Sequence, residues 1–173
     1  ENIYYLRFES NTFDNIIMID VFHHLKFPES ALNELVRVLK PKGKIIMIEP
    51  AMGIIPRIIF SVFHHEPNGF DFKIKQFKET TDNFTENEFF AAQSLPWRFF
   101  VLKEFNLSKK INLKKVFLWS DFAFLFSGGL SYPSFYPLCF LNFINKMDFF
   151  LTILSKKLFS ARMMVILEKN FLT

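Results

Sequence analysis

FDNIIMIDVFHHLKFPESALNELVRVLKPKGKIIMIEP, residues 13–50, decides the fold. Ile16, Ile17, Met18 and Ile19 form a continuous apolar run, the pattern of a strand buried on both faces of a parallel sheet. Asp20 ends it with a polar group. From Pro28 to Leu39 the residues Ala31, Leu32, Leu35, Val36 and Leu39 recur at helical spacing, with Pro28 suited to the first turn and Glu29 to the positive end of the helix dipole. Lys40, Pro41, Lys42 and Gly43 read as a breaker and turn. A second continuous run, Ile45, Ile46, Met47 and Ile48, then ends at Glu49 and Pro50. Strand, helix and strand with short connections form a βαβ unit with parallel strands and a right-handed crossover. The class predicted is α/β, a doubly wound Rossmann-like sheet. Ligands of such sheets bind beyond the carboxyl ends of the strands, so Asp20 to His24 and Glu49 to Gly53 are expected to share a crevice.

Downstream the pattern is weaker. Met52 to Phe63 is apolar and helical around Pro56, and His64 to Gly69 is a turn-rich segment. Residues 71–88 read as a solvated stretch with scattered Phe, and Phe89 to Val101 regains helical character. Leu113 to Trp119 and Arg162 to Lys169 read as strands. Phe122 to Ile144 carries no charge and has the length of a membrane span of about 20 residues. Its Gly128, Gly129, Pro133 and Pro137 break a continuous helix, so a packed lid or membrane-touching loop is expected instead.

Composition narrows the function. The chain has 173 residues, 50% of them hydrophobic, enough for one core. Its 21 Lys and Arg against 17 Asp and Glu give +4 without a basic stripe, which argues against a nucleic-acid partner. A single cysteine, Cys139, excludes an internal disulfide and a Cys-cluster zinc site, and suits a cytoplasmic location. The 26 Phe residues keep peripheral membrane contact in view. Lys109, Lys110, Lys114 and Lys115 read as a solvated face, able to assist at anionic headgroups.

Taken as an ordered set, Phe13-Asp14, Asp20 to His24, the helix, Leu39 to Gly43 and Glu49-Pro50 resemble the second half of a class I S-adenosylmethionine-dependent methyltransferase of the type with Asp-x-x-His-His after the fourth strand. The resemblance covers residues 2–50 well. It implies strands four and five here, a sixth near Leu113 to Trp119 and an antiparallel seventh at Arg162 to Lys169. Residues 1–173 would be a partial methyltransferase domain. Residues 1–50 would form the βαβ core, 51–112 a substrate-side insertion, and 113–173 the last strands with an apolar lid. The glycine-rich cofactor loop and the acidic residue that holds the ribose are absent from these residues, so the chain is expected to bind S-adenosylmethionine poorly by itself.

The resemblance also implies roles for single residues. Asn2, Ile3, Asp20 and Val21 would contact the cofactor, with Asn2 accepting from the adenine amino group through its carbonyl oxygen. His24 is the candidate catalytic group, because imidazole titrates near neutrality. His23, Glu49 and His64 would face a small-molecule, saccharide or lipid acceptor. The competing reading has one His of the 23–24 pair capping the next helix or bonded to a backbone carbonyl while the other is exposed. His64, His65 and Glu66 lack the i, i+4 spacing of a zincin, so no metal is expected. Ser127, Gly128 and Gly129 match no phosphate-binding pattern and read as a flexible turn. The alternative to an enzyme is a non-catalytic membrane-associating or partner-binding module built on a partial Rossmann-like sheet.

Overall fold

A computed structural model describes residues 2–63, 65–78, 89–127 and 133–171. Strand β1 (Phe13–Ile19) leads through a 3₁₀ turn (Phe22–His24) to helix α1 (Pro28–Val38) and strand β2 (Leu39–Pro50). Helices α2 (Ile54–Phe63) and α3 (Leu95–Phe100) precede β3 (Ile111–Trp119). Short α4 (Phe122–Phe126), a 3₁₀ turn (Leu138–Phe140), α5 (Leu141–Leu154) and α6 (Lys156–Phe159) come before β4 (Arg162–Lys169).

The sheet order is β1-β2-β4-β3. β1 and β2 are parallel, and β4 runs antiparallel to both of its neighbours, β2 and β3. β3 therefore runs in the direction of β1 and β2. The last strand of the chain is inserted between the second and third, and its antiparallel direction is the one the resemblance implies. The α/β, Rossmann-like class holds.

α1 forms because its apolar spacing gives one face to bury and because its first amides find an acceptor. The N–H groups of Glu29 and Ser30 both donate to the carbonyl of Gln76, at 2.9 and 3.2 Å, satisfying donors that a helix start leaves open. Ala31, Leu32, Leu35 and Val36 pack with Met18, Ile45, Met47, Val165 and Leu167 on one face of the sheet. Leu95, Phe99 and Phe100 of α3 complete that core.

Three expectations change. Lys40 to Gly43 is not a turn outside the sheet, because β2 already pairs at Leu39 with Phe13 and the four residues form an irregularity before Lys44 pairs with Asn15. Lys42 takes the left-handed φ of 63° inside this bulge. Residues 71–78, the described part of the stretch expected to be solvated, are so only on one side: Asp71, Lys73, Lys75, Phe77 and Lys78 are exposed while Phe72 and Ile74, with Phe70 before them, pack against the core. Buried Arg98 holds them there, donating to the carbonyls of Gly69 and Phe72 at 3.0 and 2.9 Å. β1 is not buried on both faces, with Ile17 67% and Ile19 58% exposed.

The uncharged segment holds α4, the 3₁₀ turn and the start of α5, with residues 133–137 outside any helix. Asp148 of α5 is buried and accepts from the N–H groups of Phe122 and Ala123, at 2.8 and 3.0 Å, which docks α4 on α5. Gly128 and Gly129 lie outside the described residues. Among those described, no helix is long and apolar enough to cross a membrane.

Candidate functional site

The site is built at the carboxyl ends of β1 and β2. Asp20 takes a left-handed φ of 53°, and its N–H still donates to the carbonyl of Ile48 at 2.9 Å, so the chain leaves the sheet sharply and enters the 3₁₀ turn. Glu49, from the end of β2, receives that turn. Its Oε1 accepts from the N–H groups of Val21 and Phe22 at 2.9 and 2.7 Å, and its Oε2 lies 2.8 Å from His23 Nδ1. The open amides at the start of a short helix are thus satisfied by a carboxylate. The expectation that the polar tips of the two strands share one end is met by these direct bonds.

Glu49 is fully buried, so its carboxylate forms the floor of the site and orients His23 rather than facing an acceptor. His23 is buried and His24 half-buried, their ring centroids 4.0 Å apart. His24 Nδ1 lies 3.0 Å from the carbonyl of Phe90, a backbone bond of the kind the competing reading foresaw. Glu66 stands opposite both rings, 3.8 Å from His23 Nε2 and 4.0 Å from His24 Nε2. The structure brings together Asp20, Val21, His23, His24 and Glu49. His64 lies outside the described residues.

Asn2 and Ile3 belong to a local turn. Asn2 Oδ1 accepts from the Tyr4 N–H at 2.9 Å, the Asn2 carbonyl accepts from the Tyr5 N–H at 2.9 Å, and Ile3 is half-buried against the core. Asp20 pairs in bidentate fashion with Arg162, whose Nη1 and Nη2 each meet one carboxylate oxygen. Arg162 is buried and also lies over the ring of Phe124, 5.3 Å from its centroid. Nearby, burial pushes the Asp121 carboxyl above the ordinary range, a rise that the Asp148 charge adds to and Arg162 opposes.

Sequence reading missed Arg162 and Gln93. Arg162 had a usable signal, because the first residue of an antiparallel last strand starts where the parallel strands end, beside Asp20. Gln93 donates to Glu66 Oε2 and carried no such signal.

This arrangement of sheet, switchpoint crevice and strand order is that of a class I methyltransferase fold. Residues 1–47 match a family model described as "Methyltransferase domain". An uncharacterized protein of Methanocaldococcus jannaschii is 38% identical over 86 residues, spanning 47% of this chain and 38% of that protein. A probable polyketide synthase of Dictyostelium discoideum is 39% identical over 51 residues, 30% of this chain and 2% of that protein. Among solved structures, a SAM-dependent methyltransferase from Methanosarcina mazei is similar in fold, with a TM-score of 0.51 at 15% identity, covering 100% of this chain and 66% of that one. The chain thus spans well under half the length of its Methanocaldococcus relative.

Proposed function

We propose that the chain is part of an S-adenosylmethionine-dependent methyltransferase, with Asp20 and Val21 on the cofactor side and His24 toward a small-molecule, saccharide or lipid acceptor. The observation that supports this reading is the convergence of Asp20, Val21, His23 and His24 at the carboxyl ends of β1 and β2, held by Glu49 and, at Asp20, by Arg162. When bound, S-adenosylmethionine would supply the methyl group on a sulfonium. The protein's own part is to hold donor and acceptor in line and to exclude water. Arg162 sets the Asp20 side chain, and the Asn2 turn with Ile3 is the candidate adenine contact. His24, half-buried with Nδ1 bonded to the Phe90 carbonyl, has Nε2 4.0 Å from Glu66 Oε1 and is the group proposed to take a proton from a hydroxyl or amine acceptor.

A peripheral membrane contact is part of the same reading. α2 packs on α6 and α6 on α5, and this layer leaves Ile58 and Val62 of α2 and Phe143, Phe149, Phe150 and Ile153 of α5 exposed beside Lys146, Lys156 and Lys157. Apolar side chains flanked by cations suit an anionic bilayer surface. Co-sedimentation with vesicles containing phosphatidylserine, lost in a Phe149→Ser/Phe150→Ser variant, supports that contact. Equal pelleting of both proteins refutes it.

The test of the enzyme reading is calorimetric titration of S-adenosylmethionine into the chain together with any residues encoded in frame ahead of Glu1. Saturable heat that falls at least tenfold in affinity in Asp20→Ala is expected. No heat in the unmodified protein removes the methyltransferase reading.

A further inference from the structure

We propose that His23, His24 and Glu66 form a binding site for a divalent transition-metal ion of the zinc type. The inference does not depend on methyl transfer, it departs from the expectation that no metal binds here, and an ion on His24 Nε2 would exclude the proton-accepting role proposed above for that nitrogen.

The tautomers carry it. His23 Nδ1 lies 2.8 Å from the buried Glu49 carboxylate, and His24 Nδ1 lies 3.0 Å from the Phe90 carbonyl. Both partners only accept, so Nδ1 is the donating nitrogen of each ring and Nε2 is the nitrogen left to face a ligand. Both Nε2 atoms face the same carboxylate, Glu66, at 3.8 and 4.0 Å. Two imidazole nitrogens and a carboxylate converging in this way make up the donor set of a zinc-type site. One ligand atom from each of the three residues lies within 4.8 Å of the others. Zinc bonds of about 2.0–2.2 Å to nitrogen and oxygen need ligand atoms about 3.3 Å apart in a tetrahedral site, so a closure of the order of 1 Å completes the geometry. The half-buried His24 can make that adjustment.

Each donor already has the outer partner that metal ligands use. Glu49 orients His23, the Phe90 carbonyl orients His24, and Gln93 donates to Glu66 Oε2. The backbone fixes the segments that carry them, with Ala92 N–H donating to the His23 carbonyl at 2.9 Å and Gln93 N–H to the Pro67 carbonyl at 3.2 Å. His65 Nε2 lies 3.9 Å from Glu66 Oε1 and is exposed, which puts it on the solvent side of the site. Imidazole and carboxylate donors suit zinc and its first-row neighbours rather than magnesium or calcium. The ion would staple the 65–68 turn to the end of β1.

The experiment is titration of Zn²⁺ into the metal-stripped chain, followed by calorimetry and by thermal melting, with Co²⁺ as an optical probe. One ion per chain, a higher melting temperature and the visible absorption of four-coordinate Co²⁺ are expected. His24→Gln and Glu66→Gln should each weaken binding at least tenfold with an unchanged far-ultraviolet spectrum, Gln93→Leu about tenfold through the outer contact, and Cys139→Ser not at all. Absence of saturable Zn²⁺ and Co²⁺ binding overturns the proposal, as does binding that survives in both His24→Gln and Glu66→Gln, or that is lost in Cys139→Ser. Because no readout uses S-adenosylmethionine, failure here leaves the enzyme reading to its own test.

Discussion

The two faces of one sheet are treated differently. On the face of Met18, Ile45, Met47, Val165 and Leu167, every one of these side chains is buried beneath α1 and α3. On the other, Ile17 and Ile19 are mostly exposed, Ile46, Ile48, Met164 and Ile166 are only half-buried, and Phe117 is 43% exposed. The residues alternate along the same strands and pair in the same register, Met18 with Met47 and Ile17 with Ile46. Composition therefore does not separate the faces; the helices packed on them do. A sheet this apolar on both sides, with β1 as an open edge, is chemically suited to receive further elements on its second face.

The sharpest way to break that comparison is mutation at the covered face. Met47→Ala removes a fully buried side chain and should lower stability by about 2–5 kcal/mol in urea unfolding. Asp148→Ala, which leaves the Phe122 and Ala123 amides without their acceptor, should cost about 2 kcal/mol and loosen α4 in amide exchange. On the open face Ile17→Ser should change stability by no more than about 0.5 kcal/mol. If Ile17→Ser costs as much as Met47→Ala, that face is covered in solution and the contrast fails. The same variant made in a version carrying any in-frame upstream residues sharpens the point, since a cost rising to about 1–3 kcal/mol would locate what covers it.

The smallest expected effect is a pH dependence from Glu29 on the covered side. Burial raises its carboxyl above the ordinary value, with the Ser108 N–H opposing. As pH falls from neutral through the raised folded value, the folded state takes up the proton before the unfolded chain does, so stability rises, and the gain is complete below the ordinary carboxylate range. Glu29→Gln should flatten this rise in urea midpoints measured across acidic pH. A midpoint that falls with acidification equally in both proteins would contradict it.

Much of this was legible in the sequence where pattern and period are strong. The RMMVILEK run gives β4 with its bounds, and the family resemblance implies its antiparallel direction. Lys40 to Gly43 misled because Pro and Gly punctuate turns, yet here the parallel pairing reaches back to Leu39 and absorbs them as a bulge. Phe70, Phe72 and Ile74 follow no helical period, and their burial depends on Arg98, nearly thirty residues on in the chain. The histidines were visible as pairs, but which nitrogen faces Glu66 is set by the 3₁₀ turn and by Glu49 and Phe90. No linear spacing encodes that convergence.

The placement of the cofactor crevice is tested most directly by ultraviolet cross-linking of methyl-labelled S-adenosylmethionine to the protein with any in-frame upstream residues, followed by peptide mapping. Label in the peptides holding residues 2–5 or 20–24 is predicted, with the 20–24 label reduced in Asp20→Ala. Label confined to α5, or to the opposite end of the sheet near Lys110 and Lys169, would contradict it.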